Sequence, residues 1–220
     1  MSGKQVVFGL GTGRCGTVTL AGLLDAQADA AVGHERPGAA LRWSGGEAAL
    51  DALLEELGAS PRRLVGDVGF YYLPYVERIT RRFPGVRFVG LRRDRAATVA
   101  SYLHKAGPRN HWIRHDGRRW QADCWDDCYP KYEAESLEQA LEMYWDDYYR
   151  RFEHWRQQRP EAFRLFELDD LNQEAGQRAI LDFVGIPRDE QVLDVGLRLN
   201  DRSVTRVRRP SLFRRLFRRP

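Results

Sequence analysis

The stretch Gly9-Leu10-Gly11-Thr12-Gly13-Arg14-Cys15-Gly16-Thr17-Val18-Thr19-Leu20 constrains the fold more than any other part of the chain. It follows the apolar run Gln5-Val6-Val7-Phe8 and leads into Leu20, Leu23 and Leu24 at helical spacing. A buried strand over 6–10, a glycine-rich turn and a helix over 17–28 make the opening of a βαβ unit. Such a turn gathers backbone N–H groups and the positive end of a helix dipole around one point, which is where folds of this kind hold a phosphate.

The rest of the chain continues the alternation. Weak strands are expected over 30–33 and 63–65, the latter ending at Gly66-Asp67, and a stronger one over 86–91. Amphipathic helices are expected over 47–57, 71–83 and 95–105, with Asp94 as N-cap of the last. Residues 107–135 break the rhythm, being rich in Trp, Asp, Arg and Gly without either period. A long aromatic helix over 137–155, a strand over 163–168 and a helix over 173–184 stopped by Gly185-Ile186-Pro187 complete the pattern. The expectation is an α/β fold, a central parallel sheet covered by helices on both faces in three layers. Residues 1–201 form one domain with 107–135 as an irregular insertion, and 202–220 a separate basic tail.

Composition narrows the function classes. With 43% hydrophobic and 30% charged residues, the chain can build a full core. It has no apolar run near the roughly 18 residues of a membrane span, and Met-Ser-Gly-Lys-Gln lacks a signal-peptide pattern, so a cytoplasmic protein is expected. The formal charge of +4 conceals an asymmetry, because residues 202–220 carry eight arginines and no acid, leaving −4 on the first 201 residues. A mildly acidic body offers no basic face to a nucleic-acid backbone. Cys124 and Cys128 form an isolated pair without a second pair or a histidine pair at finger spacing, so two ordinary thiols are expected and no metal is implied.

Two readings of the glycine loop remain. Gly11-x-Gly13-x-x-Gly16 fits a dinucleotide turn, and Glu35 stands about 20 positions beyond it, as a ribose-binding acid would. A dinucleotide turn, however, holds its pyrophosphate with amides and has no use for Arg14. A Walker A loop needs a Lys where Thr17 follows Gly16. The other reading is a loop that cradles one terminal anion, with Arg14 stabilising charge on a bridging oxygen as a bond breaks.

Gly13-Arg14-Cys15-Gly16-Thr17 resembles the 5′-phosphosulfate loop of the sulfotransferases that use 3′-phosphoadenosine 5′-phosphosulfate (PAPS). "RFVGLRRDRAATVASYLH", Arg87 to His104, resembles that family's 3′-phosphate motif, with Arg93 at a strand end and Ser101 eight residues on. "RLFELDDLN" and "ILDFVGIP" resemble its closing strand and helix, so the similarity spans about residues 5–190. The resemblance implies the P-loop-like three-layer sulfotransferase fold, with PAPS as co-substrate. Gly13, Arg14, Cys15, Gly16 and Thr17 would hold the phosphosulfate, and Arg93 and Ser101 the 3′-phosphate. Cys15 replaces the usual serine, and Val18 stands where many members have a second hydroxyl.

"LLDAQADAAVGHERPG", Leu23 to Gly38, is similar to the base region of the tyrosylprotein branch, which implies Glu35 as the base, with adjacent His34 as rival. Asp67 lies on the same sheet edge, where an N-cap role is expected. The acceptor, a small molecule or carbohydrate offering a hydroxyl or amine, would meet residues 107–135. There Trp112, Trp120, Trp125 and Tyr129 either stack a ring or pack the loop onto the core, with His111, Arg114 and His115 available for acidic groups. Tyr144, Trp145, Tyr148, Tyr149, Phe152 and Trp155 read as core. Arg206 to Arg209 are candidates for the segment that closes over the nucleotide. The tail's paired apolar and basic residues fit either an interfacial helix for anionic lipid or an acidic partner, or a solubilising end. A dinucleotide-dependent oxidoreductase and a non-catalytic nucleotide-binding adaptor are the alternatives.

Overall fold

The computed structural model describes residues 3–195. Five parallel strands form one sheet in the order β2-β3-β1-β4-β5. They are β1 (Gln5–Leu10), β2 (Ala30–His34), β3 (Leu64–Val68), β4 (Arg87–Arg92) and β5 (Phe163–Glu167). The three central strands read as nearly continuous apolar runs because helices cover both faces, while edge strand β5 exposes Arg164 and Glu167. The pleat divides β1 between two cores: Val6, Phe8 and Leu10 face one, and Val7 the other.

Helices α2 (Glu47–Ala59), α3 (Val76–Arg82) and α5 (Leu137–Gln158) pack on the first face, where the core is aromatic. Helices α1 (Thr17–Asp25) and α6 (Glu174–Val184) pack on the second, where it is aliphatic. Helix α4 (Arg95–Ala106) follows β4 and carries Val99 into the first core. The helix expected over 71–83 is instead a 3-10 turn, Phe70–Tyr75, followed by α3. Pro74 lies in that turn and has no N–H to donate, so the α-helical ladder cannot begin before it.

Sheet order places the site. Chain segments leaving β1 run toward β2 and β3, and those leaving β4 run toward β5. The crevice between the carboxyl ends of β1 and β4 is therefore the switch point, where ligands of open α/β sheets bind. The register brings Gly9 beside Val68, His34 beside Val68 and Leu10 beside Gly90, so the loops after β1, β2 and β4 open on one edge. No described helix is long and apolar enough to cross a membrane. The basic tail, including Arg206 to Arg209, lies outside the described residues.

Candidate active site

The loop after β1 is shaped by three residues with positive φ: Gly13 at 79°, Arg14 at 58° and Gly16 at 93°. Glycine accepts that region freely, whereas Arg14 is strained by about 1 kcal/mol. Gly16 is also the N-cap of α1 and has no side chain to fill the cap. The first N–H groups of α1 therefore stay available to an anion. Helix α4 differs, since Asp94 Oδ1 accepts from Ala97 N at 2.8 Å and occupies that helix end itself. Around Arg93 and Ser101 the free donors are therefore side chains.

Arg14 and Arg93 meet in this crevice. Arg93 Nη1 donates to the Arg14 carbonyl at 3.1 Å, and Arg14 Nε donates to Ser101 Oγ at 3.2 Å. Neither guanidinium is paired with a carboxylate among the described residues, whereas neighbouring Arg92 binds Glu167. Gly13, Arg14, Gly16, Thr17, His34, Glu35, Arg93 and Ser101 all line one cavity of about 810 Å³. Cys15 does not. It is fully buried beneath the loop, where burial pushes its thiol up to about 11, so what it can offer a ligand is its backbone N–H.

Glu35 sits just past β2 at φ 51°, held there by Glu35 N donating to the Val68 carbonyl at 2.9 Å. Burial pushes its carboxyl up to about 7, partly opposed by the charge of Lys105. His34 Nε2 lies 3.1 Å from Thr17 Oγ1, and burial lowers the ring to about 4. His34 is therefore neutral near pH 7, and its 3.9 Å approach to Glu35 is not an ion pair. A proton acceptor works best when its affinity matches the working pH, which favours Glu35 over His34.

Asp67 departs from the N-cap expectation. It lies within β3, fully buried, and accepts from Tyr72 Oη at 2.6 Å and from Arg36 N at 3.3 Å. Burial pushes it up to about 7 against the pull of those bonds. Through Arg36 N it fixes the turn that presents Glu35.

The aromatic residues of α5 do more than fill the core. Tyr148 Oη accepts from Gly11 N at 2.9 Å and donates to the Phe70 carbonyl at 3.0 Å. Tyr144 and Tyr102 donate to the Thr12 carbonyl, at 3.1 and 2.6 Å. Trp145 Nε1 donates to the Arg93 carbonyl at 3.0 Å. One helix thus braces both arginine-bearing segments, a role that helical spacing alone does not distinguish from packing. The insertion divides as well. Trp112 is in the core with one edge on the cavity, which Trp125, Tyr129 and His111 also line. Trp120 does not line it, and Arg114 and His115 face a second cavity. Cys124 is exposed and Cys128 buried, and both are free thiols. Lys105, Arg109, Asp169 and Asn172 also line the first cavity; Asp169 and Asn172 belong to the RLFELDDLN stretch, whereas no sequence pattern marks Lys105 and Arg109.

No protein-family model and no curated protein matches the chain. Solved structures do. A sulfotransferase from Alicyclobacillus acidocaldarius superposes with a TM-score of 0.57 at 16% identity, over 88% of this chain and 85% of that one. The sulfotransferase domain of the curacin biosynthetic pathway gives 0.51 at 16%, over 84% of this chain and 75% of the other. Mouse sulfotransferase SULT7A1, complexed with PAP, gives 0.50 at 15%, over 83% of this chain and 60% of its own length. With a parallel sheet in the same three-layer arrangement, this chain has the sulfotransferase fold.

Proposed function

We propose that the protein transfers a sulfuryl group from PAPS to a hydroxyl or amine acceptor. One observation carries the reading: Arg14 and Arg93, whose guanidinium groups have no acid partner among the described residues, face one cavity beside the carboxyl of Glu35, the Arg93 guanidinium held on the Arg14 carbonyl and the Arg14 guanidinium on Ser101. Unpaired cations in a cleft are costly unless an anion completes them. Two of them, from separate loops, suit a ligand with phosphate at both ends. The PAP bound by the mouse neighbour is in keeping with this.

Each group then has a task. The amides of residues 13–17 and the open end of α1 bind the phosphosulfate. Arg93 and Ser101 hold the 3′-phosphate, and charge-assisted bonds of this kind contribute about 1.5–3 kcal/mol each. Glu35 takes the proton of the acceptor hydroxyl as its oxygen attacks sulfur. The bond from sulfur to the bridging oxygen breaks on the opposite side, and Arg14 stabilises the charge that collects there. The products are the sulfated acceptor and 3′,5′-adenosine bisphosphate, with the proton on Glu35.

Calorimetric titration with 3′,5′-adenosine bisphosphate, NAD and ATP tests the reading, followed by turnover of labelled PAPS. The bisphosphate is expected to bind best, with Arg93→Ala weakening it about thirtyfold, the equivalent of about 2 kcal/mol. Preference for NAD, or indifference to Arg93, would return the loop to the dinucleotide reading. Bisphosphate binding with activity unaffected by Glu35→Gln would point to a different base, and binding without any turnover to an adaptor.

A further inference from the structure

The insertion contains a histidine–carboxylate pair that the sulfuryl-transfer scheme leaves unused. His111 Nδ1 lies 2.7 Å from Asp126 Oδ1. Asp126 is itself fixed, its Oδ2 accepting from Asp123 N at 2.9 Å. Lys131 Nζ ties the two residues together, donating to the His111 carbonyl at 2.6 Å and the Asp126 carbonyl at 2.5 Å. A carboxylate on Nδ1 takes the N–H of that nitrogen and leaves the lone pair on Nε2. That second nitrogen has no hydrogen-bond partner among the described residues, yet it is not buried. His115, whose Nε2 is 3.7 Å from Asp126 Oδ2, differs, because its Nε2 is buried.

His111 belongs to the wall of the same cavity as Glu35. Its ring stacks on Tyr129, with centroids 5.4 Å apart and planes at 10°, and Tyr129 stacks on Phe70 at 4.3 Å and 9°. Glu35 lies at the Phe70 end, where its Cγ would be 3.4 Å from a Cβ on Gly69. The wall therefore runs from one proton acceptor, Glu35, past two rings to another, His111 Nε2. A lone pair held in one direction on a rigid wall is a recognition element for a donor.

We propose that His111, oriented by Asp126, binds the acceptor at the end remote from its reacting hydroxyl. The acceptor selected is a flat compound of one to two rings with a second O–H or N–H donor at that far end. The proposal rests on the sulfuryl-transfer reading for the role of Glu35. In it His111 determines specificity and Asp126 is a positioning residue.

The test uses the full chain saturated with 3′,5′-adenosine bisphosphate, titrated with two probes that differ by one hydroxyl, 4,4′-dihydroxybiphenyl and 4-hydroxybiphenyl. Calorimetry reads affinity, and nitrogen-15 signals of labelled histidine read His111. The wild type is expected to bind the dihydroxy probe about tenfold more tightly, the equivalent of about 1.4 kcal/mol. That probe alone should move the Nε2 signal. His111→Ala should erase the difference and His111→Gln, with a carbonyl acceptor, should restore part of it. Asp126→Asn should shift His111 toward the other tautomer and shrink the difference. Equal affinities, a difference that survives in His111→Ala, or an unmoved Nε2 signal, including one from failure of both probes to bind, would overturn the proposal. Bisphosphate affinity is measured in the same experiment and should be the same in every variant. Its absence in the wild type would instead bring down the sulfuryl-transfer reading.

Discussion

Glu35→Gln should make the protein less active and more stable, the second effect only at high pH. Burial raises the carboxyl from its ordinary 4.5 to about 7 in the folded chain. Between those values the folded state keeps a proton that the unfolded state has lost. Stability therefore falls as pH rises through this window, and above pH 7 the full cost is present. The difference corresponds to about 3 kcal/mol at most. Glutamine has no charge to desolvate and keeps the shape, so it removes this term and leaves the φ of 51° as it was. Urea denaturation of both proteins checks this. The variant should match the wild type near about pH 4 and exceed it by up to about 3 kcal/mol near about pH 9. For a chain of this size that is roughly 6–12 °C in Tm. Turnover of labelled PAPS should fall about 10²- to 10⁴-fold, and wild-type kcat/KM should rise with pH through about 7 as the base ionises. A stability advantage of the variant over the wild type that does not grow from low to high pH would refute the reasoning, because Glu35 would then not be held in a desolvated position.

Other substitutions separate the roles. Tyr148→Phe should cost about 1–3 kcal/mol in urea denaturation, because Gly11 N and the Phe70 carbonyl both lose their buried partner. It should also weaken bisphosphate binding by loosening the loop. Arg92→Ala should leave bisphosphate affinity unchanged and shift stability by no more than about 0.5 kcal/mol, since its pair with Glu167 is solvent-exposed; an effect like that of Arg93→Ala would undo the assignment of the two neighbours. Gly16→Ala should destabilise by about 1 kcal/mol, mainly through its φ of 93°, because the nearest obstacle is a movable Leu168 methyl. Tyr72→Phe should push Asp67 further up and lower turnover without changing bisphosphate affinity, a separation that calorimetry and kinetics on one sample would show.

Local rules make part of this protein legible from the chain alone. The apolar runs of β1, β3 and β4 and the punctuation by Pro84-Gly85 and Gly185 follow from burial and backbone preference, which act over a few residues. The same is true of Gly16 at the head of α1 and Asp94 at the head of α4. The order of Arg14, Glu35 and Arg93 along strand ends could be read the same way, with Ser101 in the helix after the last of them, because alternating βαβ units deliver their loops to one edge.

What remained hidden depends on which residues meet across long stretches of chain. Cys15 and Gly16 are neighbours, but one points into the aliphatic core and the other caps a helix toward the cavity. The α5 tyrosines have the spacing of any buried helix face, and only the packing of α5 over the sheet aims their hydroxyls at Gly11, Thr12 and Leu91. Residues 107–135 have no period to read, so the pairing of His111 with Asp126 arises from closure of that loop on the aromatic core. Sequence by itself determined the sheet, its helices and the candidate anion-binding arginines, because these rest on patterning of neighbours. Tertiary structure alone decided which side chains are desolvated, braced or left with a free lone pair, because proton affinity and hydrogen-bond direction depend on everything packed around a group.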